Sequence, residues 1–266
     1  MRYIINHRTE YLYERSVHHS IQELRLTPQD STSQLLERWK INAPSKLTES
    51  IDAFGNICHV FVLDHNYSGM LIEANGEVLT KDQFVFADAK SAVSPYYLLQ
   101  QTPLTEPSDE MKHYLLGKNI TSPTPESMMQ LAIDIQRKIN YEKGTTNANT
   151  TASQAWKLKS GVCQDHSHIM LGLCRFLKLP ARYVSGYFYD ENSSDMASHA
   201  WVDVCFDIEN AIWHSIDITN GCFSNERHIR LAIGRDYSHV APVKGIRSGG
   251  GIEQLNSKVS IEKVLN

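Results

Sequence analysis

The first 85 or so residues alternate apolar and polar positions in short runs separated by turn residues. The segments RYIINHRTEYLYE and HHSIQELRLTP carry the aromatic and β-branched residues typical of strands, and SIDAFGNICHVFVLD predicts two strands around a Gly-Asn turn. Short strands of this kind predict an antiparallel sheet or a sandwich. We therefore expect residues 1–90 to form a β-sandwich-like N-terminal domain.

Prolines punctuate the next stretch, SPYYLLQQTPLTEPSDEMKHYLLGKNITSPTP, which contains one short helical pattern near residues 109–116. We expect residues 91–124 to be a linker into a second domain over residues 125–247. That domain opens with a marked helix, because Thr124 can cap it, Pro125 suits its first position and apolar residues recur at helical spacing. A shorter helix is predicted for TASQAWKLK.

A third helix is predicted from Cys163, where apolar positions follow one helical face until Pro180. The segments PARYVSGYFYD, SHAWVDVCFDI and AIWHSIDITNG then alternate like strands of one antiparallel sheet, and HIRLAIGRDYSHVAPVKG predicts a further strand and a loop. Residues 248–266 begin with Ser-Gly-Gly-Gly and are expected to be a loose C-terminal tail. The pattern predicts a two-domain α+β protein, in which the Cys163 helix packs on an antiparallel sheet.

Composition and charge exclude several classes of protein. The chain is 41% hydrophobic and 21% charged, and its net charge of -4 argues against nucleic acid or an anionic membrane as the main partner. No apolar run reaches about 18 residues, so no membrane span is expected. The opening MRYIINHRTEYLYERSV reads as a strand rather than a secretion signal, although an export signal further upstream stays open.

The five cysteines are odd in number, widely spaced and without a CxxC pair. This spacing is poor material for a disulfide framework or a structural zinc site, and it fits a reducing compartment. A cytoplasmic location is the resulting expectation.

Cys163 lies at a predicted helix N-terminus, two residues after Gly161. The unpaired N–H groups and the partial positive charge of a helix start favour a thiolate, and these N–H groups can also stabilise an oxyanion. A buried cysteine is, however, commonly an inert small hydrophobic residue. On its placement alone, Cys163 could therefore be a nucleophile, a metal ligand or a core residue.

A nucleophile needs a base, and the base needs a third group that holds its tautomer. In SHAWVDVCFDIENAIWHSIDIT we place a tight turn around residues 207–210, which centres a hairpin on position 208. His199 and Asp217 then come within one residue of facing each other, with Cβ atoms about 5 Å apart on a polar face. A helix that packs on this polar face with Cys163 would complete a Cys–His–Asp triad.

Three motifs in this order resemble the transglutaminase-like superfamily of papain-fold cysteine enzymes: GVCQDHSHIMLGLCRFLKLPARYVSGY, SHAWVDV and WHSIDITNG. The β-rich N-terminal region and GRDYSHVAPVKG are similar to the bacterial branch with a dedicated N-terminal domain. The sequence departs from the usual pattern of this superfamily at two places. It has Asp217-Ile218-Thr219 where Asp-Pro-Thr is more usual, and Ser238-His239 where an alanine and an acidic residue are more usual. The resemblance covers about residues 125–245 and implies a papain-like catalytic domain with Cys163, His199 and Asp217 as its triad.

Other residues of the nucleophile helix have two interpretations each. Gln164 and Asp165 suit the helix dipole and can also order the neighbouring loop. His166 and His168 are expected to be hydrogen-bonded structural histidines, because a catalytic zinc site needs three convergent ligands and the chain has no HExxH or CxxC motif.

Four more residues are expected near the cleft. Trp156 and Trp201 are interpreted as core or cleft wall, with substrate contact as the alternative. Arg235 and Asp236 are interpreted as a structural ion pair, with direct substrate contact as the alternative.

The function that these observations favour is hydrolysis of an amide in a peptide or protein through a Cys163 thioester. No metal or organic cofactor is expected, and the oligomeric state is left open. The alternatives are a protein-glutamine amine transferase, which would use the same triad, and a non-catalytic binding module on this fold.

Overall fold

A computed structural model describes residues 1–88, 93–192 and 198–264. Fifteen strands and five α-helices are defined in these residues, together with a 3-10 turn at Pro95–Leu99. The helices are α1 Asp109–Leu116, α2 Pro125–Lys138, α3 Ala152–Leu158, α4 Cys163–Phe176 and α5 Tyr237–Val240. The strands are β1 Arg2–Leu24, β2 Gln34–Asn42, β3 Thr48–Ile51, β4 Ile57–Leu63, β5 Tyr67–Thr80, β6 Val85–Ala87, β7 Asn140–Tyr141, β8 Ser160–Gly161, β9 Ala181–Phe188, β10 Ser198–Asp207, β11 Ile212–Asp217, β12 Cys222–Phe223, β13 His228–Gly234, β14 Val243–Gly249 and β15 Glu253–Val264.

The predicted β-rich N-terminal region is a seven-stranded sheet built around the long strand β1. The first half of β1 pairs with β5 and β15, and its second half pairs with β4 and β14. The register shifts between Leu12 and Val17, where β1 passes from one set of neighbours to the other. Alternate residues of β1 are buried, as expected for a strand with one face on a core.

The expectation of a loose C-terminal tail is wrong. Residues 243–249 and 253–264 are strands β14 and β15, and β15 pairs with β1 from Arg2↔Val264 to Tyr13↔Glu253. Val259 and Ile261 are buried in the core of this sheet. The three glycines form the turn between the two strands, with left-handed φ values of 89°, 91° and 65° that favour glycine. The C-terminal segment is therefore part of the N-terminal sheet.

The prediction that residues 91–124 are a linker is also wrong, because the described part of this segment packs into the second domain. Met111 and Leu115 of α1 are buried in the same core as α2 and α4. The buried guanidinium of Arg175 in α4 donates to the carbonyl of Leu98 at 3.1 Å and to the hydroxyl of Thr105 at 2.9 Å. These contacts tie the segment to the back of α4. Its predicted helix near residues 109–116 is confirmed as α1.

The second sheet has the strand order β12-β11-β10-β9-β13, with β6 paired to β11. Helix α4 packs across it, so the predicted helix-on-sheet arrangement of an α+β fold is confirmed. The residues of α4 and of the sheet that share this core include Ile169, Met170, Leu173, Ala200, Val202, Val204 and Ile216.

The face that α4 covers differs from the prediction. The sheet residues beneath α4 are the apolar ones, whereas the opposite polar face carries Asp203, which is fully buried. Asp203 accepts hydrogen bonds from Arg182 at 2.9 Å and from Arg230 at 2.6 Å and 2.9 Å. These guanidiniums outweigh the effect of burial and lower the pKa of Asp203 to about 2. An ion network therefore occupies the polar face where the helix was expected.

Two side-chain amides of the N-terminal region bind the free edge of β13. Gln34 accepts from the N–H of Arg230 at 2.7 Å and donates to its carbonyl at 2.9 Å. Asn56 makes the same pair of bonds with Ile233, at 2.8 Å each. Both amides are buried, and a cavity of about 720 Å³ lies beside them. Because each amide replaces a neighbouring peptide group, the N-terminal region completes the hydrogen bonding of this edge.

Among the described residues, no helix has the length and apolar character needed to cross a membrane.

Candidate active site

The Cys163 thiol lies at the first residue of α4 and is half-buried against the core of the second domain. Gly161 precedes it in the two-residue strand β8, which pairs with β7. The chain turns from β8 into α4 at Val162, whose backbone is extended. The predicted placement of the cysteine at a helix start is therefore confirmed.

Asp165 fixes this helix start. Its Oδ2 atom accepts from the N–H of Val162 at 2.8 Å and from the hydroxyl of Thr146 at 2.7 Å. The carboxyl is fully buried, and burial raises its pKa even though both donors oppose the shift. A Cβ atom on Gly161 would lie 2.6 Å from Oδ2 of Asp165. Glycine is needed at position 161 because the capping carboxylate occupies the space of a side chain.

The structure brings His199 and Asp217 together, with Nε2 of His199 2.8 Å from Oδ2 of Asp217. The predicted register is nevertheless wrong by two residues. Val202 pairs with Ile216, so Asp217 is level with Trp201. His199 lies two residues before Trp201, towards the start of β10. An offset of two keeps both residues on one face, and a diagonal pair is still within reach of an imidazole.

In this pair, burial is the largest single influence on each pKa, but attraction and hydrogen bonds together outweigh it. Burial disfavours the charged form of His199, but the charge of Asp217 and hydrogen bonds with Asp217 and Cys163 raise the pKa of His199 to about 10. Burial disfavours ionised Asp217 in the same way, yet His199 and His228 hold its pKa well below the usual range. The arrangement therefore stabilises a cationic His199 between a carboxylate and the Cys163 sulfur.

Two partners of Asp217 were not predicted from the sequence. Nε2 of His228 lies 2.9 Å from Oδ2 of Asp217, and the Asn220 side chain donates to the same oxygen at 2.6 Å. The N–H of Asn220 donates to the other oxygen at 3.1 Å. Asn220 follows Asp217 in a turn, so its spacing was a usable signal. His228 opens a separate strand and is brought to the site only by the pairing of β13 with β9.

The other histidines of α4 hold neighbouring segments. His166 contacts the hydroxyl of Thr219 at 3.0 Å and the carbonyl of Ile139 at 3.1 Å. Nε2 of His168 accepts from the N–H of Tyr237 at 3.2 Å. Burial lowers the pKa of both histidines. These contacts agree with a structural role for both.

The remaining candidate residues divide between the site and its surroundings. Gln164 donates to the carbonyl of Asn147 at 3.3 Å, which orders the preceding loop. Trp156 lies in the core against Tyr114, with ring centroids 5.0 Å apart. Trp201 is buried beside the triad, with its ring centroid 6.0 Å from that of His199.

The predicted ion pair between Arg235 and Asp236 is wrong, since no salt bridge joins these two residues, both within the described part of the chain. Arg235 instead donates to the hydroxyl of Tyr97 at 3.1 Å and to the carbonyl of Gln101 at 3.0 Å. Asp236 caps α5 by accepting from the N–H of Ser238 at 2.8 Å. The two side chains therefore bind different partners, and their charges are not paired with each other.

His199, Asp217 and His228 are also the described residues whose ligand atoms cluster closely enough to hold a metal ion, within 4.8 Å of one another. Their closest contacts, at 2.8 Å and 2.9 Å, have the length of charge-assisted hydrogen bonds. A metal ion would have to replace the protons of both imidazoles. The geometry is that of a proton-sharing network around one carboxylate.

Comparisons with known proteins bear on the family and the fold of this chain. Residues 3–79 match the model of the bacterial transglutaminase-like N-terminal region, and residues 115–218 match that of the transglutaminase-like superfamily. An uncharacterized protein of Mycobacterium leprae is 29% identical over 277 residues, covering 97% of each chain. An uncharacterized protein of Mycobacterium bovis is 28% identical, covering 92% of this chain and 87% of its own.

The crystal structure of a candidate cysteine protease from Cytophaga hutchinsonii superposes with a TM-score of 0.76 at 19% identity. It covers all of this chain and 91% of that one. The fold is thus that of a papain-like helix-on-sheet domain with a β-rich N-terminal partner. Residues 115–218 therefore match the transglutaminase-like superfamily, and residues 3–79 match the N-terminal region that accompanies it in bacterial proteins.

Proposed function

We propose that the protein is a cysteine-dependent acyl-transfer enzyme that hydrolyses an amide bond in a peptide or protein. The observation that carries this proposal is the position of His199, whose Nε2 lies 2.8 Å from the Asp217 carboxylate and whose pKa is also raised by interaction with the Cys163 thiol. In the order nucleophile, base and orienting acid, these are the groups that thiol-dependent acyl transfer requires.

In the proposed reaction, His199 accepts the proton of Cys163 through Nδ1, the ring nitrogen not used by Asp217. The thiolate attacks the amide carbonyl, and the first N–H groups of α4 stabilise the oxyanion. The C–N bond then breaks, His199 gives its proton to the leaving amine, and a thioester remains on Cys163. Water, activated by His199, hydrolyses the thioester. Asp217 stabilises the imidazolium throughout, and no cofactor takes part.

Selective alkylation of Cys163 tests the activated thiol. We would label the protein with limiting iodoacetamide from pH 5 to 9 and locate the modification by intact mass and peptide mapping. Cys222 is the internal control, because it is also half-buried but burial raises its pKa to about 11. Cys163 is expected to react selectively below pH 7, and His199→Ala is expected to remove that low-pH reactivity. Equal labelling of Cys163 and Cys222, unaffected by His199→Ala, would favour a binding module.

Incubation with glutamine-containing peptides, with and without an added primary amine, tests what accepts the acyl group. Cleaved or deamidated peptide whose yield is unchanged by the amine supports hydrolysis. Incorporation of the amine in place of hydrolysis would instead identify a protein-glutamine amine transferase. Cys163→Ala is the control for both outcomes.

A further inference from the structure

Asp217 is shared by two histidines that approach the same carboxylate oxygen. Nε2 of His199 lies 2.8 Å and Nε2 of His228 lies 2.9 Å from Oδ2. His199 comes from β10 and His228 from the start of β13, so strands on both sides of β9 converge on this atom. Of the two histidines, His199 is the one whose pKa is raised by interaction with the Cys163 thiol. The second histidine has no part in the reaction as proposed above.

Its hydrogen bonds define the protonation of His228. Nδ1 lies 3.1 Å from the backbone nitrogen of Asn225 and 3.2 Å from Oδ1 of the same residue; because the backbone N–H can only donate, we assign Nδ1 as its acceptor. Nε2 faces a carboxylate oxygen, which can only accept, so Nε2 carries the proton. Burial lowers the pKa of His228, although Asp217 opposes that shift. The backbone donor at Nδ1 and the carboxylate at Nε2 together favour a neutral imidazole protonated at Nε2.

Packing keeps the His228 ring in this orientation. The side chain is 3% exposed, the Trp201 ring stands edge-on at 5.2 Å between centroids, and the Phe188 ring lies at 4.9 Å. The other titratable groups that face the Asp217 cluster are Cys163 and His166 of α4, Cys222 of β12 and Arg227 before β13. None of these four is hydrogen-bonded to Asp217 within the described contacts.

We propose that His228 is a positioning residue of the active site, a neutral donor that fixes the Asp217 carboxylate for His199 and draws off part of its negative charge. This inference rests on the proposed function, because it assumes that His199 is the acid and base. Each hydrogen bond donated to a carboxylate weakens its hold on another proton. With His228 in place, the imidazolium of His199 is a stronger acid towards the leaving amine.

A pair of substitutions separates donation from packing. His228→Leu removes the donor but still fills the space with an apolar side chain. His228→Gln keeps an N–H near the position of Nε2. We expect His228→Leu to lower kcat about ten-fold and to move the titration of His199 to higher pH, since Asp217 then holds that proton more tightly. His228→Gln is expected to restore both values towards the wild type. His214→Leu, on β11 among Phe84, Phe206 and Phe223, is the matched control.

The titration is followed by NMR with ¹⁵N-labelled histidine, whose ring nitrogen shifts report both tautomer and charge. In the wild-type protein, His228 is expected to stay neutral and protonated at Nε2 from pH 5 to 9. This measurement does not depend on the stability of any variant. An Nδ1-protonated or freely titrating His228 in the folded wild type would overturn the proposal.

The two hypotheses fail in distinguishable ways. If Cys163 is not selectively alkylated in the wild type, the proposed function fails whatever His228 does. If Cys163 is activated through His199 but His228→Leu changes neither kcat nor the His199 titration, only the role of His228 is refuted. If Leu and Gln impair kcat equally without moving the titration, His228 is a packing residue.

Discussion

The imidazole of His199 and the carboxylate of Asp217 meet at 2.8 Å although the two residues are offset by two positions in the β10–β11 ladder. The His199 side chain therefore reaches diagonally across the end of the sheet, where β10 continues beyond β11. Asn220 and His228 hold the carboxylate from its other sides. The active geometry depends on three segments rather than on one hairpin.

Replacing Asp217 by asparagine should keep the fold and remove most of the activity. An amide cannot stabilise the imidazolium of His199, and it can select the wrong tautomer. We expect kcat to fall by about 10³–10⁴-fold. The measurement is peptide hydrolysis beside a circular dichroism spectrum, and the control is Asp64→Asn, which changes an exposed carboxylate in the turn between β4 and β5. Unchanged kcat in Asp217→Asn would remove Asp217 from the mechanism.

The same pair should make the free energy of unfolding depend on pH. The pKa of His199 is raised from 6.5 to about 10, so its contribution is complete below pH 6.5 and is lost as the pH rises towards 10. The pKa of Asp217 is lowered, so its contribution is present above the unfolded-state pKa near 4 and is lost only in acid. Urea denaturation from pH 6.5 to 9 should therefore show falling stability in the wild type and a flatter profile in Asp217→Asn. Parallel profiles would contradict this linkage.

Gly161→Ala should disturb the start of the nucleophile helix. The added Cβ would lie 2.6 Å from Oδ2 and 2.7 Å from Cβ of Asp165, so the capping bond to Val162 has to open. We expect a cost of about 1–3 kcal/mol in unfolding free energy and slower alkylation of Cys163 at pH 6. Gly117→Ala is the matched control, because its nearest neighbour would be at 3.4 Å. Equal effects at positions 117 and 161 would refute this account of the helix start.

Asp203 should matter for stability rather than for chemistry. Removing its charge leaves the guanidiniums of Arg182 and Arg230 without their shared partner, and both arginines are largely buried. We expect Asp203→Asn to cost about 3–5 kcal/mol by urea denaturation, as for a broken buried ion pair. The pH profile of Cys163 labelling should keep its shape in the folded protein. A profile displaced along the pH axis would instead place Asp203 in the active-site network.

The C-terminal strand should contribute through its few buried residues. Ile261 is 2% exposed, whereas Leu255 in the same strand is 54% exposed. We expect Ile261→Ala to lower the unfolding free energy by about 2–4 kcal/mol and Leu255→Ala to change it by less than about 0.5 kcal/mol. Thermal and urea denaturation of both variants provide the comparison. Similar losses at the two positions would mean that β15 is not seated as described.

Local signals in the sequence were sufficient for part of the fold. The cap at Thr124 and Pro125, the short helix α1 and the helix start at Cys163 depend on neighbouring residues, and all three appear as expected. The order of Cys163, His199 and Asp217 likewise identified the superfamily. The family motifs lie in continuous segments, so they could be read without knowing the tertiary structure.

Long-range pairings were out of reach of the sequence. The β10–β11 register was misplaced because a bulge follows Cys205 and Ala211 turns with a left-handed φ of 48°. Strand β15 was missed because its first six residues are exposed and its attachment to β1 is mostly backbone hydrogen bonding. His228 gave no signal, since its partner lies in another strand. In each case the contact that determines the structure joins residues far apart in the sequence, and the residue types do not indicate that they pair.

The place of β14 and β15 in the first sheet has a consequence for biosynthesis. Strand β1 is translated before the second domain, but its partners over residues 2–13 and 17–24 include β14 and β15, which are translated after that domain. The first sheet can therefore be completed only after the whole second domain has been translated. Such sequence-distant pairing slows folding and leaves an edge of β1 unpaired until β14 and β15 have been made. Nascent chains stalled before residue 243 should thus expose this edge and depend on chaperones.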